Sequence, residues 1–138
     1  MNLIELSNDF CQKYLSCFKK AANRLQLTQS QSLCLIAIPF KGISQTDLAN
    51  KLSLDLSTLS RNLNKLSIKE LISKTSSNHD KRISKIYLTE RGQDIYNQLN
   101  NLIADDLSKI FNTFDVDEQS QMEEMLNKIN WQFDLLNK

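Results

Sequence analysis

Glycine is nearly missing from this chain. Gly42 and Gly92 are the two it has, and Pro39 is its one proline. Tight turns lean on both residue types, so a sheet-rich fold with many hairpins, or a second domain on a flexible linker, has almost no material here. The expectation is a mainly α-helical chain forming one domain over residues 1–138, since 41% hydrophobic residues in 138 suffice for a single core. Histidine is scarcer still: His79 stands alone, with no Cys-x-x-Cys or clustered carboxylates beside it, so no metal site is expected. Neither a glycine-rich phosphate loop nor a nucleophile with a histidine partner is visible, which argues against an enzyme and against a cofactor. Asp105-Asp106 and Glu123-Glu124 are neighbours on helices, about 100° apart, where a solvated face explains them better than acid–base catalysis. Cys11, Cys17 and Cys34 are an odd number and do not suggest a disulfide framework. No apolar run approaches the roughly eighteen residues of a membrane span. The first residues lack the basic region and cleavage site of a secretory signal. A cytoplasmic protein with no membrane partner is expected.

The net charge is only +1, but it is unevenly spread. Residues 1–40 carry four Lys and Arg against two acids, residues 41–91 ten against five, and residues 92–138 three against nine. A basic centre suits phosphates; an acidic C-terminal segment suits a place away from them.

Within the basic centre, Ile43 to Leu66 reads as two short amphipathic periods separated by a turn. Ser44 caps the first, with Asp47 facing the exposed amides of its first turn and Leu48, Ala49 and Leu52 facing inward. After a break around Ser53-Leu54-Asp55, Asp55 or Ser57 caps the second period, whose inward face is Leu59, Leu63 and Leu66. The opposite face carries Ser57, Thr58, Arg61, Asn64 and Lys65, with Ser60 at its margin. Hydroxyls, an amide and two cations are groups that reach base edges and phosphates from the major groove. Downstream, Asn78 to Gly92 reads as a charged loop, a β-branched and aromatic strand from Ile83 to Leu88, and a helix start capped by Thr89. In Asp80-Lys81-Arg82 the short acid can hold the Arg82 guanidinium and aim it outward. Helix, turn, helix, strand, basic loop and strand in about fifty residues make a winged helix-turn-helix with a small β-hairpin wing.

The chain resembles the MarR-type transcriptional regulators. The matching pieces are Leu27-Thr28-Gln29-Ser30-Gln31, Leu48-Ala49, Ser57-Thr58-Leu59-Ser60-Arg61, Asp80-Lys81-Arg82-Ile83 and Leu88-Thr89-Glu90-Arg91-Gly92. The last two are the most specific. Glu70 departs from the pattern, standing where such regulators usually carry glycine after the recognition helix, so that helix is expected to run on or end differently. The wing departs too, with Ile83 after Arg82 and Ser84 one later.

Residues 27–91 are thus expected to bind double-stranded DNA, flanked by dimerisation helices in 1–25 and 92–138. Ile95, Leu99, Leu102, Ile103, Leu107, Ile110, Phe111 and Phe114 form one apolar stripe, and Asp115-Val116-Asp117-Glu118 breaks and recaps it. A second stripe follows from Met122 to Leu136. With the N-terminal stripe from Leu3 to Leu25, these faces either close on themselves or interdigitate with a second copy, as the resemblance implies. A two-fold dimer would present two recognition helices one DNA turn apart, on a pseudo-palindromic operator.

On this reading Ser44, Gln45, Lys65, Lys69 and Lys74 hold backbone phosphates, and Ser57, Thr58, Ser60, Arg61 and Asn64 read the major groove. Arg82, aimed by Asp80, enters the adjacent minor groove, with Lys81 and Lys85 in the same basic wing. The expected function is a sequence-specific transcriptional regulator, a repressor, released by a small ligand or by oxidation. Tyr14, Phe18, Phe40, Tyr96 and Phe111 are candidates to line a cleft for a small aromatic ligand. Cys11 and Cys17 are the redox candidates, on the precedent of MarR-type regulators that sense peroxide through a first-helix cysteine. They lie six residues apart on one helix, about 120° around it, so they do not bond to each other within one copy. A winged helix that binds only protein is the alternative.

Overall fold

The computed structural model describes residues 1–75 and 84–137. The chain divides into two compact units, Met1–Ile103 and Ala104–Lys138.

The first unit opens with α1 (Leu3–Arg24), started by a capping box in which the Asn2 side chain accepts from the Glu5 amide and Glu5 returns the bond. Helix α2 (Gln29–Ala37) starts the same way on Thr28 and Gln31. A two-residue strand, β1 (Ile43–Ser44), precedes α3 (Gln45–Leu52), which is capped by Ser44, and α4 (Leu56–Ile68), which is capped by Asp55. Strands β2 (Ile72–Thr75) and β3 (Lys85–Leu88) pair antiparallel, with Ile72 opposite Leu88 and Thr75 opposite Lys85. Strand β1 pairs with the other edge of β3, Ile43 opposite Ile86, so the order is β1-β3-β2. The core draws on α1 to α4 and the sheet: Ala22, Leu35, Leu48, Leu59, Leu63, Leu66 and Ile86 are all buried. The fold is the expected mainly α winged helix with a small antiparallel sheet; β1 is an addition to the expectation.

Three helices end on non-glycine residues in the left-handed region, Gln26 (φ 59°), Ser53 (φ 53°) and Glu70 (φ 60°). The last corrects the expectation for the end of α4. The helix does not run on: Lys69 caps it, and Glu70 itself adopts the left-handed conformation, letting the Leu71 amide donate back to the Leu66 carbonyl at 3.0 Å.

Both glycines stand where a side chain does not fit. Gly42 has φ +84°, and a Cβ there would meet Tyr87 Cε1 at 2.6 Å. Gly92 lies in the first turn of α5 (Glu90–Phe111), where a Cβ would come within 1.9 Å of the Leu71 carbonyl oxygen. The close approach is held by Thr89, whose amide donates to Leu71 O (3.0 Å) and whose hydroxyl donates to Glu70 O (2.6 Å) while accepting from the Gly92 amide (3.0 Å).

In the second unit α5 ends at Phe111, and α6 (Val116–Leu136) begins at a capping box between Asp115 and Glu118. The break falls where the acidic cluster placed it. Gln119 fastens the corner by donating to the Phe111 and Phe114 carbonyls, both at 3.0 Å. Helix α6 buries no residue.

Candidate nucleic-acid interface

The outer face of α4 follows from its inner one. Leu59, Leu63 and Leu66, spaced four and three apart, are fully buried, and Asn62 is nearly so. Ser57, Arg61, Asn64 and Lys65 are thereby turned to solvent, with Thr58 and Ser60 half-buried beside them. Ser60 is tied to α3, its Oγ accepting from Gln45 Nε2 at 2.7 Å. The major-groove candidates thus share one helix face, and one of them, Ser60, is hydrogen-bonded to the preceding helix.

Asp55 organises the N-terminal turn of that face. Its Oδ1 accepts from the Thr58 amide and from Ser57 Oγ, both at 2.7 Å, and its Oδ2 accepts from Thr58 Oγ1 at 2.9 Å. Arg61 Nη2 donates to the same Thr58 hydroxyl at 3.4 Å. The amide of Thr58, then the hydroxyls of Ser57 and Thr58, and the nearby Arg61 charge hold the Asp55 carboxyl at about 2, below its ordinary 3.8. It is an anion at any physiological pH.

The phosphate candidates are arranged less uniformly. Ser44 accepts from the Asp47 amide as the cap of α3 (3.1 Å) and pairs in register with Lys85. Lys74 and Lys85 are exposed on neighbouring strands, and Lys65 is exposed on α4. Lys69 differs: its ammonium donates to the Gln26 carbonyl (2.6 Å) and to Gln31 Oε1 (3.3 Å), binding the end of α4 to the α1–α2 corner. Lys41, a lone cation in the turn before β1, carries no pattern in the sequence that marks it. In the fold it lines a cavity of about 540 Å³ together with Ser44, Asp47 and Lys85. Asp80, Lys81 and Arg82 lie outside the described residues, as does His79.

The aromatic candidates separate. Phe40 and Tyr96 line one cavity of about 310 Å³ with Ile36, Pro39, Lys51 and Gln93. Lys51 donates from its side to the Ala37 carbonyl at 2.9 Å. Phe18 is in the core, 1% exposed. Tyr14 lies against Phe10, their ring centroids 6.1 Å apart. Phe111 belongs to the second unit, where it lines a different cavity with Gln119, Met122 and Leu126. Within the first unit, Phe40 and Tyr96 are brought together in one cavity, and Phe18 is taken up by packing.

Among the cysteines, Cys11 is exposed, Cys17 half-buried and Cys34 buried, with the Cys34 thiol pushed up to about 11 by burial. No group of three metal-ligating side chains occurs among the described residues.

The family model described as the transcriptional regulators SarA/Rot matches residues 16–99. The HTH-type transcriptional regulator SarZ of Staphylococcus epidermidis is 30% identical over 132 residues, covering 93% of this chain and 84% of that protein. Wild-type MarR of E. coli in its apo form superposes with a TM-score of 0.80 at 27% identity, over 94% of this chain and 96% of that one. A mutant of E. coli MarR complexed with operator DNA gives a TM-score of 0.72 at 28% identity, over 92% of each chain.

Proposed function

Because the chain belongs to the SarA/Rot family of transcriptional regulators and has the MarR-type winged-helix fold, we propose that it is a repressor acting as a homodimer on a pseudo-palindromic operator. The observation that carries this reading is the outer face of α4, where Ser57, Thr58, Arg61, Asn64 and Lys65 lie together on a helix whose opposite side is buried. Such a face reads base edges, while Ser44, Lys74 and Lys85 supply donors and charge for phosphates. The mutant MarR–operator complex supports a duplex as the partner of this fold. Arg82, aimed by Asp80, is assigned to the minor groove from the sequence, with Lys81 in the same basic wing.

Dimerisation is supported by apolar surface that neither unit covers by itself. In the first, Leu3, Ile4, Leu6 and Phe10 of α1 are exposed; in the second, Met125, Leu126, Ile129 and Phe133 of α6 are exposed. Covering a promoter represses it, and release comes through a small aromatic ligand beside Phe40 and Tyr96 or through oxidation of exposed Cys11.

Fluorescence anisotropy tests the reading, comparing the duplex upstream of the protein's own gene with a scrambled one at several salt concentrations. A preference of at least about a hundredfold for the native fragment is expected. Arg61→Ala is expected to weaken specific binding by about 1–3 kcal/mol. Affinity that is absent, or independent of salt, for every duplex in a genome-wide selection overturns the reading and leaves a protein-binding module.

A further inference from the structure

We propose that Asp55 sets the hydrogen-bond polarity of Ser57 and Thr58, so that the first turn of α4 selects bases presenting an exocyclic amine in the major groove. This rests on the DNA-reading assignment of α4. An ionised carboxylate has lone pairs and no proton, so in both hydroxyl contacts to Asp55 the hydroxyl is the donor. A serine or threonine hydroxyl has one proton and two lone pairs. With the proton held by Asp55, each oxygen offers the outside only acceptor capacity. On Thr58 part of that capacity is turned toward Arg61.

The consequence for recognition is a matter of matching signs. Phosphate oxygens, guanine N7 and O6 and thymine O4 are all acceptors, and acceptor-only hydroxyls gain no hydrogen bond from any of them. Adenine N6 and cytosine N4 are the amines that the major groove displays. Ser57 and Thr58 therefore act as base readers and not as phosphate clamps, although free hydroxyls of the same residues could do either. Arg61, three residues beyond Thr58, has the opposite polarity and suits guanine O6 and N7. One turn of helix thus presents acceptors at its start and donors at its end. Asp55 acts through its neighbours, as a positioning residue, and three of the roughly four lone-pair sites on its own oxygens are already filled.

Asp55→Asn separates this role from capping. Asparagine caps a helix about as well as aspartate, but with its oxygen kept on the Thr58 amide and Ser57 Oγ, its NH2 group faces Thr58 Oγ1, donates there and releases the Thr58 proton to turn outward. The experiment selects the preferred duplex for the wild-type protein, then replaces each adenine by purine and each cytosine by 2-pyrimidinone, deleting one amine at a time, and measures affinity by anisotropy. Wild type is expected to lose about tenfold at one or two positions per half-site. Asp55→Asn, with an unchanged melting temperature, is expected to lose less than about twofold at the amine read by Thr58 while staying sensitive at the guanine read by Arg61. The double variant Ser57→Ala, Thr58→Val keeps the Asp55 cap and is expected to lose the same sensitivity, so the test stands even if the asparagine variant folds poorly. Undiminished amine sensitivity in both variants, or a wild-type protein indifferent to every amine deletion, overturns the proposal. Failure of wild type to select any duplex overturns the DNA-reading assignment itself, a distinguishable result.

Discussion

Single residues carry much of the strain and much of the order in this fold. Glu70 holds a left-handed conformation that costs an L-residue roughly 1–2 kcal/mol. Its exposed contact with Arg91, 3.9 Å long, returns almost nothing. Glu70→Gly is expected to raise stability by about 0.5–1 kcal/mol, after the extra backbone entropy of glycine is subtracted. Gly92→Ala is the converse: its methyl group meets the Leu71 carbonyl, a backbone atom that cannot rotate away, and a loss on the order of 2–3 kcal/mol is expected. Urea midpoints of the two variants check both signs. Asp55 gives a pH signature. Its folded value, about 2, lies below its ordinary 3.8, so its contribution to stability is complete above 3.8 and is lost as pH falls through 2. Stability of Asp55→Asn measured across that acid window is expected to fall less steeply than that of wild type, with no difference in slope near neutrality.

Elements were legible in the sequence wherever a local rule fixed them. Ser44, Asp55 and Thr89 cap the helices their positions announced, Leu59, Leu63 and Leu66 are buried at the spacing that marked them, and Asp115 restarts the chain as α6. What escaped is nonlocal. Strand β1 has two residues, too few for an alternation, and exists because β3 offers it an edge. The turn at Glu70 goes against the residue's own preference and leads into Leu71, where Gly92 of α5 makes its close approach, a contact no local signal announces. Phe18 and Phe40 are indistinguishable as aromatic residues, yet one is 1% and the other 92% exposed. Lys69 is the clearest case, since its partner Gln26 lies 43 residues away. With its ammonium engaged there, Lys69→Met is expected to lower stability by about 1 kcal/mol and to leave the slope of log affinity against log salt unchanged. Lys74→Met, at an exposed strand position, is expected to reduce that slope by about 1. Salt titrations of the two variants against one duplex distinguish an internal tie from a phosphate contact.

For the whole molecule, the proposed assembly has a direct test. Ile129 and Phe133 are four residues apart on α6 and remain exposed. Wild type is expected to sediment at twice the chain mass at micromolar concentration. Ile129→Asp combined with Phe133→Asp is expected to sediment as a single chain and to lose the preference for a two-fold site. A wild-type protein that sediments as one chain at every concentration removes the dimer from the account. The junction at Thr89 has a mechanical meaning of its own. One threonine, directly after β3, is tied to Glu70 and Leu71 before β2 and to Gly92 in α5, and Gly92 lets the two backbones touch. No spare length of chain lies at that joint to act as a hinge. The sheet and the first turn of α5 must turn together, like a spoke welded to its axle, and the Thr89 and Gly92 amides should exchange their hydrogens as slowly as those of the core.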